Sequence, residues 1–316
     1  MPMLYWLPRL PQRRLSNMTQ ICIIGDINVD VVSLLSEPLQ TNTDTNATNG
    51  ITLGGSTCNV AVWLTHLGVP VDLVSAIGDD VLGAWVITQL QAYEVSDKNV
   101  KSLSNQRTGT CVILVDENGA RSMMPDFGAN LMQAVDANLE QLISASDIVV
   151  MSAYTFLRPQ TTQFALDVLD CVAKNDCRMV IDAASSSPIQ KFGAAKVRNY
   201  LARADLVLAN EDEYAALGID APAGWENDFQ NLIIKRGELG ALWLNRGAEV
   251  ASVAADPIDV VDTTGAGDAF CAGLLSKLLT RPDWDNLVTL DFAESLQTAT
   301  RAAAANCKTI GAGPVI

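Results

Sequence analysis

Between residues 147 and 237 the chain repeats one pattern: a short, nearly unbroken apolar run followed by an amphipathic stretch. The runs are "DIVVMS" (147–152), "RMVIDA" (178–183), "DLVLAN" (205–210) and "NLIIKRG" (231–237). Runs this short match strands, and their lack of polar alternation implies cover on both faces. Around 160–174 and 189–203, apolar residues fall at helical spacing. Strands separated by helices pair in parallel, because each helix returns the chain to the edge where the next strand begins. The rhythm extends outward. Ile21–Ile24 reads as a buried strand ending at Gly25, Asn59–Leu67 as a helix stopped by Gly68, 71–78 as a strand and Val81–Tyr93 as a helix. After 237 come a hairpin with "NRG" at its tip and apolar helices near 266–280 and 288–305. The expected fold class is therefore α/β, a doubly wound, mostly parallel sheet with helices on both faces.

Two segments break the rhythm. Residues 36–50 are polar and read as an exposed loop, and "DENG" between Cys111–Val115 and Ala120–Met124 is a hairpin signal. Insertions near 31–53 and 107–127 are therefore expected to form a small β lid over a site. Residues 1–18 read as a disordered extension or a misplaced start, with basic residues after the apolar ones and Met18 just before the first strand. That leaves 19–316 as one domain.

Lys plus Arg total 21 against 36 Asp plus Glu, a net charge of −15. That balance argues against a nucleic-acid partner, which needs a positive field. No run approaches the roughly 20 apolar residues of a membrane span. Seven scattered cysteines and a single histidine fit reduced core thiols in a cytoplasmic protein better than disulfides or a His-rich metal site.

The chemistry concentrates in "VVDTTGAGDAFCAGLL" (260–275). Gly265, Ala266 and Gly267 let a ligand oxygen approach backbone N–H groups where a helix begins, which makes an anion hole. Asp268 beside such a hole makes sense as the base that deprotonates a hydroxyl attacking a phosphoryl group. An ordinary N-capped helix with close-packed glycines is the plainer alternative.

"DTTGAGDAF" resembles the C-terminal hallmark of the PfkB/ribokinase family of sugar and nucleoside kinases. Gly54, Gly55, Asn59, Ala61, Gly68 and Gly78 resemble its N-terminal hallmark. The resemblance spans roughly residues 20–316 and implies a ribokinase-like fold with a β-sheet lid. It implies Asp268 as catalytic base with Gly265, Ala266 and Gly267 as anion hole. On the acceptor it implies Asp30, Asn28, Gly54, Gly55 and Asn59, joined by Arg121 and Asn130 from the lid edge. "NEDE" and "KRGELG" imply Asn210, Lys235, Gly237 and Gly240 at the nucleotide, with Asn306 at an adenine pocket. Glu213 would hold Mg²⁺ through water, and Asp262, Thr264 and Gly311 would form a monovalent-cation loop for K⁺. The implied substrates are ATP and a primary hydroxyl of a ribose, fructose or 2-keto-3-deoxygluconate type of sugar, in a homodimer paired through the lid.

Thr57-Cys58 departs from the small Gly-Ala pair common in the family and leaves the acceptor open. A nucleoside kinase and a non-catalytic sugar sensor remain alternatives. A dinucleotide-dependent dehydrogenase lacks its glycine fingerprint, since "IIGDINVD" follows the first strand instead.

Overall fold

The computed structural model of the chain describes residues 20–117, 119–132, 134–219, 221–279 and 289–314. The expected extension over 1–18 lies outside the described residues. In chain order come β1 (Ile21–Ile24), β2 (Asn28–Leu35), β3 (Ala47–Gly54), α1 (Ser56–His66), β4 (Val71–Gly78) and α2 (Val81–Ala92). Next are β5 (Val100–Leu103), β6 (Gly109–Val115), β7 (Arg121–Asp126), α3 (Ala137–Ala145), β8 (Ile148–Ser152) and α4 (Pro159–Lys174). They are followed by β9 (Arg178–Asp182), α5 (Ser186–Phe192), α6 (Ala194–Leu201), β10 (Leu206–Asn210), α7 (Glu211–Gly218) and β11 (Asn231–Lys235). The described elements end with β12 (Ala241–Asn245), β13 (Ala248–Val253), α8 (Ala266–Leu278) and α9 (Thr289–Asn306).

The larger sheet has the order β13-β12-β11-β10-β9-β8-β1-β4-β5 among the described residues, parallel from β11 through to β5. The β12–β13 hairpin adds antiparallel strands at one edge. Alternate residues of a strand enter opposite cores, as a two-residue side-chain period requires. Ile21 and Ile23 join the core beneath α1, α2, α8 and α9, whereas Cys22 and Ile24 join the core beneath α3, α4 and α6. All seven cysteines are free and only Cys307 is not fully buried, in line with their reading as small core residues.

The lid is a second sheet, ordered β3-β2-β6-β7. It is mixed rather than purely hairpin-built, because β2 pairs in parallel with β6. Its ladder from Asn28↔Gly54 to Leu35↔Ala47 takes residues 47–50 out of the expected loop, which shrinks to 36–46. These polar residues are strand by virtue of cross-strand pairing, not hydrophobic pattern. The predicted helix over 189–203 is instead broken into α5 and α6 at Gly193, whose φ of 103° no helix accommodates. Strand β5, on the far edge, has no matching expectation.

Candidate active site

Parallel strands deliver their C-terminal ends to one edge, and the chemistry-bearing residues gather there. Asp26 follows β1, Asp182 ends β9, Asn210 ends β10 and Lys235 ends β11. The N-terminus of α8 meets this edge from the side of the first core.

Gly265 precedes α8 with φ 75°, a left-handed conformation, and a Cβ there would lie 2.5 Å from Ala312 Cβ. Only glycine suits such a turn. The Ala266 N–H is taken by the Thr263 carbonyl at 3.3 Å. The N–H groups of Gly267 and Asp268 belong to the first-turn set that the helix itself cannot satisfy. A Cβ on Gly267 would stand 3.1 Å from Lys235 Nζ. An ammonium at a helix N-terminus opposes the dipole, and the nearby acids balance it. Lys235 Nζ donates to Asp182 Oδ2 at 2.6 Å. Burial acts against the ammonium, but Asp182, Glu213 and Asp268 outweigh it and hold Lys235 above the ordinary amine range.

Asp268 is fixed from the opposite side. Its Oδ1 accepts from Ser56 Oγ and its Oδ2 from Asn59 Nδ2, each at 2.8 Å. Burial pushes its carboxyl up to about 7, Asp182 adds to the rise, and Asn59, Ser56 and Lys235 oppose it. A carboxyl poised there is suited to taking a proton near neutral pH.

The side of the cleft expected to take the acceptor is organised around Asp26. Thr57 Oγ1 donates to its carboxylate at 3.1 Å and to its carbonyl at 2.9 Å, and Asn28 Nδ2 reaches Asp26 Oδ2 at 3.2 Å. Asp30 lies on the lid strand β2, and burial together with Asp26 pushes it up to about 7. Gly54 is required opposite it, because a Cβ there would overlap the Asp30 carboxylate. Gly55 caps α1 with φ 96°. Above this floor stands Arg158, its guanidinium carbon 3.0 Å from the Phe127 ring centroid and 5.6 Å from that of Tyr154. Burial lowers Arg158 to about 10, against Asp26 and Tyr154, and among the described residues no carboxylate forms a salt bridge with it.

Three of the expected contact residues are engaged within the chain. Asn130 spends its side chain on Ile27 N at 3.1 Å, Ile27 O at 3.0 Å and Asn28 Oδ1 at 2.9 Å, so it orients Asn28. Asn306, expected at an adenine pocket, is fully buried. Its Nδ2 holds the Thr264 carbonyl at 2.6 Å and its Oδ1 accepts from Trp63 Nε1 at 3.2 Å. Arg121 donates to Asp262 Oδ1 at 2.6 Å and Thr263 Oγ1 at 3.0 Å. Gly240, with φ 87°, packs against the backbone of β13, whereas Gly237 faces open space. Asp182, Ser56, Asp26 and Arg158 were not singled out from sequence; only the aspartate of "GDIN" and the serine of "GGS" carried a signal, by adjacency.

Asn210 and Glu213 form a reciprocal cap on α7. Asn210 Oδ1 accepts from Glu213 N, and Glu213 accepts from Asn210 N and Nδ2, all at 2.8 Å. Burial raises the Glu213 carboxyl against the pull of Lys235. No cluster of three or more His, Cys, Asp or Glu among the described residues could hold a metal directly. The Asn210–Glu213 pair, its side chains engaged with each other, would meet Mg²⁺ only through its waters, which that ion keeps while binding mainly through substrate phosphates. A monovalent cation at Asp262 would compete with the Arg121 guanidinium, which already pairs with its carboxylate. Asp262 Oδ1 already accepts from Thr264 N at 2.8 Å, Thr264 Oγ1 at 2.7 Å and Arg121, and Oδ2 accepts from Gly311 N at 2.9 Å. The Thr264, Cys307 and Ala312 carbonyls around it also accept hydrogen bonds.

The profile described as pfkB family carbohydrate kinase matches residues 18–316. This chain belongs to the pfkB family of carbohydrate kinases. Its members here are phosphotransferases with alcohol acceptors. An ATP-dependent ribose-1-phosphate kinase of Halopiger xanaduensis is 29% identical over 263 residues, covering 82% of this chain and 84% of that protein. A ribokinase of Schizosaccharomyces pombe is 26% identical over 287 residues, covering 83% and 86%. The fold is shared with the Arabidopsis thaliana ribokinase complexed with ribose and ATP, at TM-score 0.76, 20% identity and coverage of 94% and 96%. It is shared also with adenosine kinase from Sinorhizobium meliloti, at TM-score 0.80, 20% identity and the same coverage. No described helix is long and apolar enough to cross a membrane.

Proposed function

We propose that the protein transfers the γ-phosphate of ATP to a primary hydroxyl of a small carbohydrate. The observation that carries this reading is the placement of Asp268. Its carboxylate lies in the first turn of α8, beside donors suited to a phosphoryl group, and is gripped by Ser56 and Asn59 from the acceptor side. Asp268 takes the hydroxyl proton. The Gly267 and Asp268 N–H groups, with Lys235, stabilise the charge on the transferred group. Gly237 borders the nucleotide. Asn210 and Glu213 would hold Mg²⁺ through water, where it would neutralise phosphate charge.

Asp30, Asn28 and the Gly54–Gly55 turn face the acceptor, and Arg158 favours one with a negative group, a sugar acid or sugar phosphate. Charge-assisted contacts of this kind are the strong ones. A nucleoside fits less well, because the Phe127 ring that could stack a base carries Arg158. The same lid supports a homodimer. Val31, Ile51, Val112 and Met124 form one cross-strand row on a face, with Ile51 56% and Met124 50% exposed.

The test is ADP release from ATP·Mg²⁺ over a panel of neutral sugars, sugar acids, sugar phosphates and nucleosides. One acceptor class should stimulate turnover in the wild type and not in Asp268→Asn. Acceptor-dependent turnover that survives in Asp268→Asn overturns the assignment of the base.

A further inference from the structure

The loop before the anion hole is tied down by a cation, but that cation belongs to the chain. Arg121 begins β7, the outer strand of the lid, and lies on the same face of its sheet as Asp30 by alternation from Asp30↔Cys111, Cys111↔Pro125 and Val115↔Arg121. Its guanidinium bridges Asp262 and Thr263 in the main domain. The Arg121 and Asp262 side chains are largely shielded, with exposures of 22% and 16%. Burial works against the Asp262 carboxylate, but hydrogen bonds from Gly311 and Thr264, with the charge of Arg121, hold it below the usual carboxylate range.

From Asp262 the connection runs without interruption to the anion hole. Asp262 fixes Thr264 and Gly311, Asn306 fixes the Thr264 carbonyl, and Trp63 Nε1 joins Asn306 to the Ala312 carbonyl at 3.0 Å. Ala312 is the residue against which Gly265 packs. Moving the lid therefore moves a charge that this turn depends on.

We propose that Arg121 is a positioning residue that serves as the resident cation of this loop, making monovalent metal ions dispensable and transmitting lid closure to the anion hole. The inference rests on the kinase reading for its effect on turnover, but not for its effect on the loop itself. A planar guanidinium suits the task better than a lysine, because it meets the carboxylate and the neighbouring hydroxyl together in fixed geometry.

The experiment compares the wild type, Arg121→Ala and Arg121→Lys in K⁺, Na⁺ and tetramethylammonium buffers of equal ionic strength, with and without added guanidinium. Two quantities are read: acceptor-dependent turnover, and amide hydrogen exchange over 260–268 in the ligand-free protein. Wild-type turnover and exchange should be the same in all three salts. Arg121→Ala should lose about a hundredfold in kcat/KM, the scale of a small misplacement at a reacting centre. Its 260–268 segment should exchange faster, and guanidinium or K⁺ should reverse both changes. Arg121→Lys should fall between. A purely structural contact would lower Tm alike in every salt and show no rescue.

Strong K⁺ activation of the wild type overturns the proposal, as does unchanged exchange over 260–268 in Arg121→Ala. If that variant does not fold, Arg121→Lys with exchange identical to the wild type and no guanidinium response overturns it equally. If no acceptor turns over, the kinase reading fails while the exchange comparison still decides this one.

Discussion

The two halves of the cleft are built differently. At the transfer end, the ends of β9, β10 and β11 and the start of α8 bring Asp182, Glu213, Lys235 and Asp268 together on a sheet buried on both faces. Each of these side chains has a protein partner. At the proposed acceptor end, part of the wall comes from the four-stranded lid, whose row through Ile51 and Met124 is exposed and whose neighbour Arg158 has no ion-pair partner among the described residues. On the proposed reading, the transfer chemistry is held by groups that are already organised, whereas recognition sits on a thinner layer. Preorganised donors need no rearrangement as charge develops, while a lid can vary without disturbing them.

The most severe way to break the transfer end is Asp268→Asn. Loss of a general base removes about 10²–10⁴-fold in kcat, read by coupled ADP release. Its stability should change in the other direction. The folded carboxyl at about 7 lies above its ordinary 3.8, so the native state binds the extra proton. The stability this group contributes is full below about pH 4 and lost as pH rises through about 7. Asp268→Asn should therefore melt above the wild type near about pH 8, and that gain should shrink toward about pH 4. The wild-type rate should climb with pH and level off above about 7, as the base ionises.

Lys235→Met is next. It leaves Asp182, Glu213 and Asp268 clustered without their cation, and breaking a buried pair in this way costs about 3–5 kcal/mol, measured by urea unfolding. The pH–rate profile should also move to higher pH, because Lys235 is one of the groups that lower the Asp268 carboxyl. Adding Asp182→Asn should recover part of the stability and move the profile back toward lower pH, because Asp182 raises the Asp268 carboxyl.

At the acceptor end the effects should be smaller and selective. Arg158→Met should cost about 1.5–3 kcal/mol of binding for an anionic acceptor, seen as a KM increase, and leave a neutral sugar nearly unchanged. Equal losses for both would erase the contrast between the two halves. Smallest of all, Ile51→Asp with Met124→Asp should shift the sedimentation of a homodimer toward monomer while turnover per chain falls little.

Local sequence reached far at the transfer end, since a helix start, a positive-φ glycine and an acid in the first turn are all encoded within a few residues of Gly265. Asn210 and Glu213 were likewise legible as a pair three residues apart. The parallel sheet followed from the uninterrupted apolar runs, because only strands covered on both faces have that composition. The lid was legible in outline, through "DENG" and the off-rhythm segments. Its strand β3 was not, because polar residues become strand there only by pairing with β2.

The sequence by itself therefore determined the sheet, the helix that opens on Asp268 and the family to which both belong. Tertiary structure decided which distant groups meet: Ser56 and Asn59 on Asp268 across more than two hundred residues, Lys235 on Asp182, and Arg121 on Asp262. It also tied Asn130 and Asn306 into the scaffold. The reason is physical. Short-range motifs fix backbone conformation, but a buried polar side chain must be satisfied by whatever the fold brings within hydrogen-bond reach.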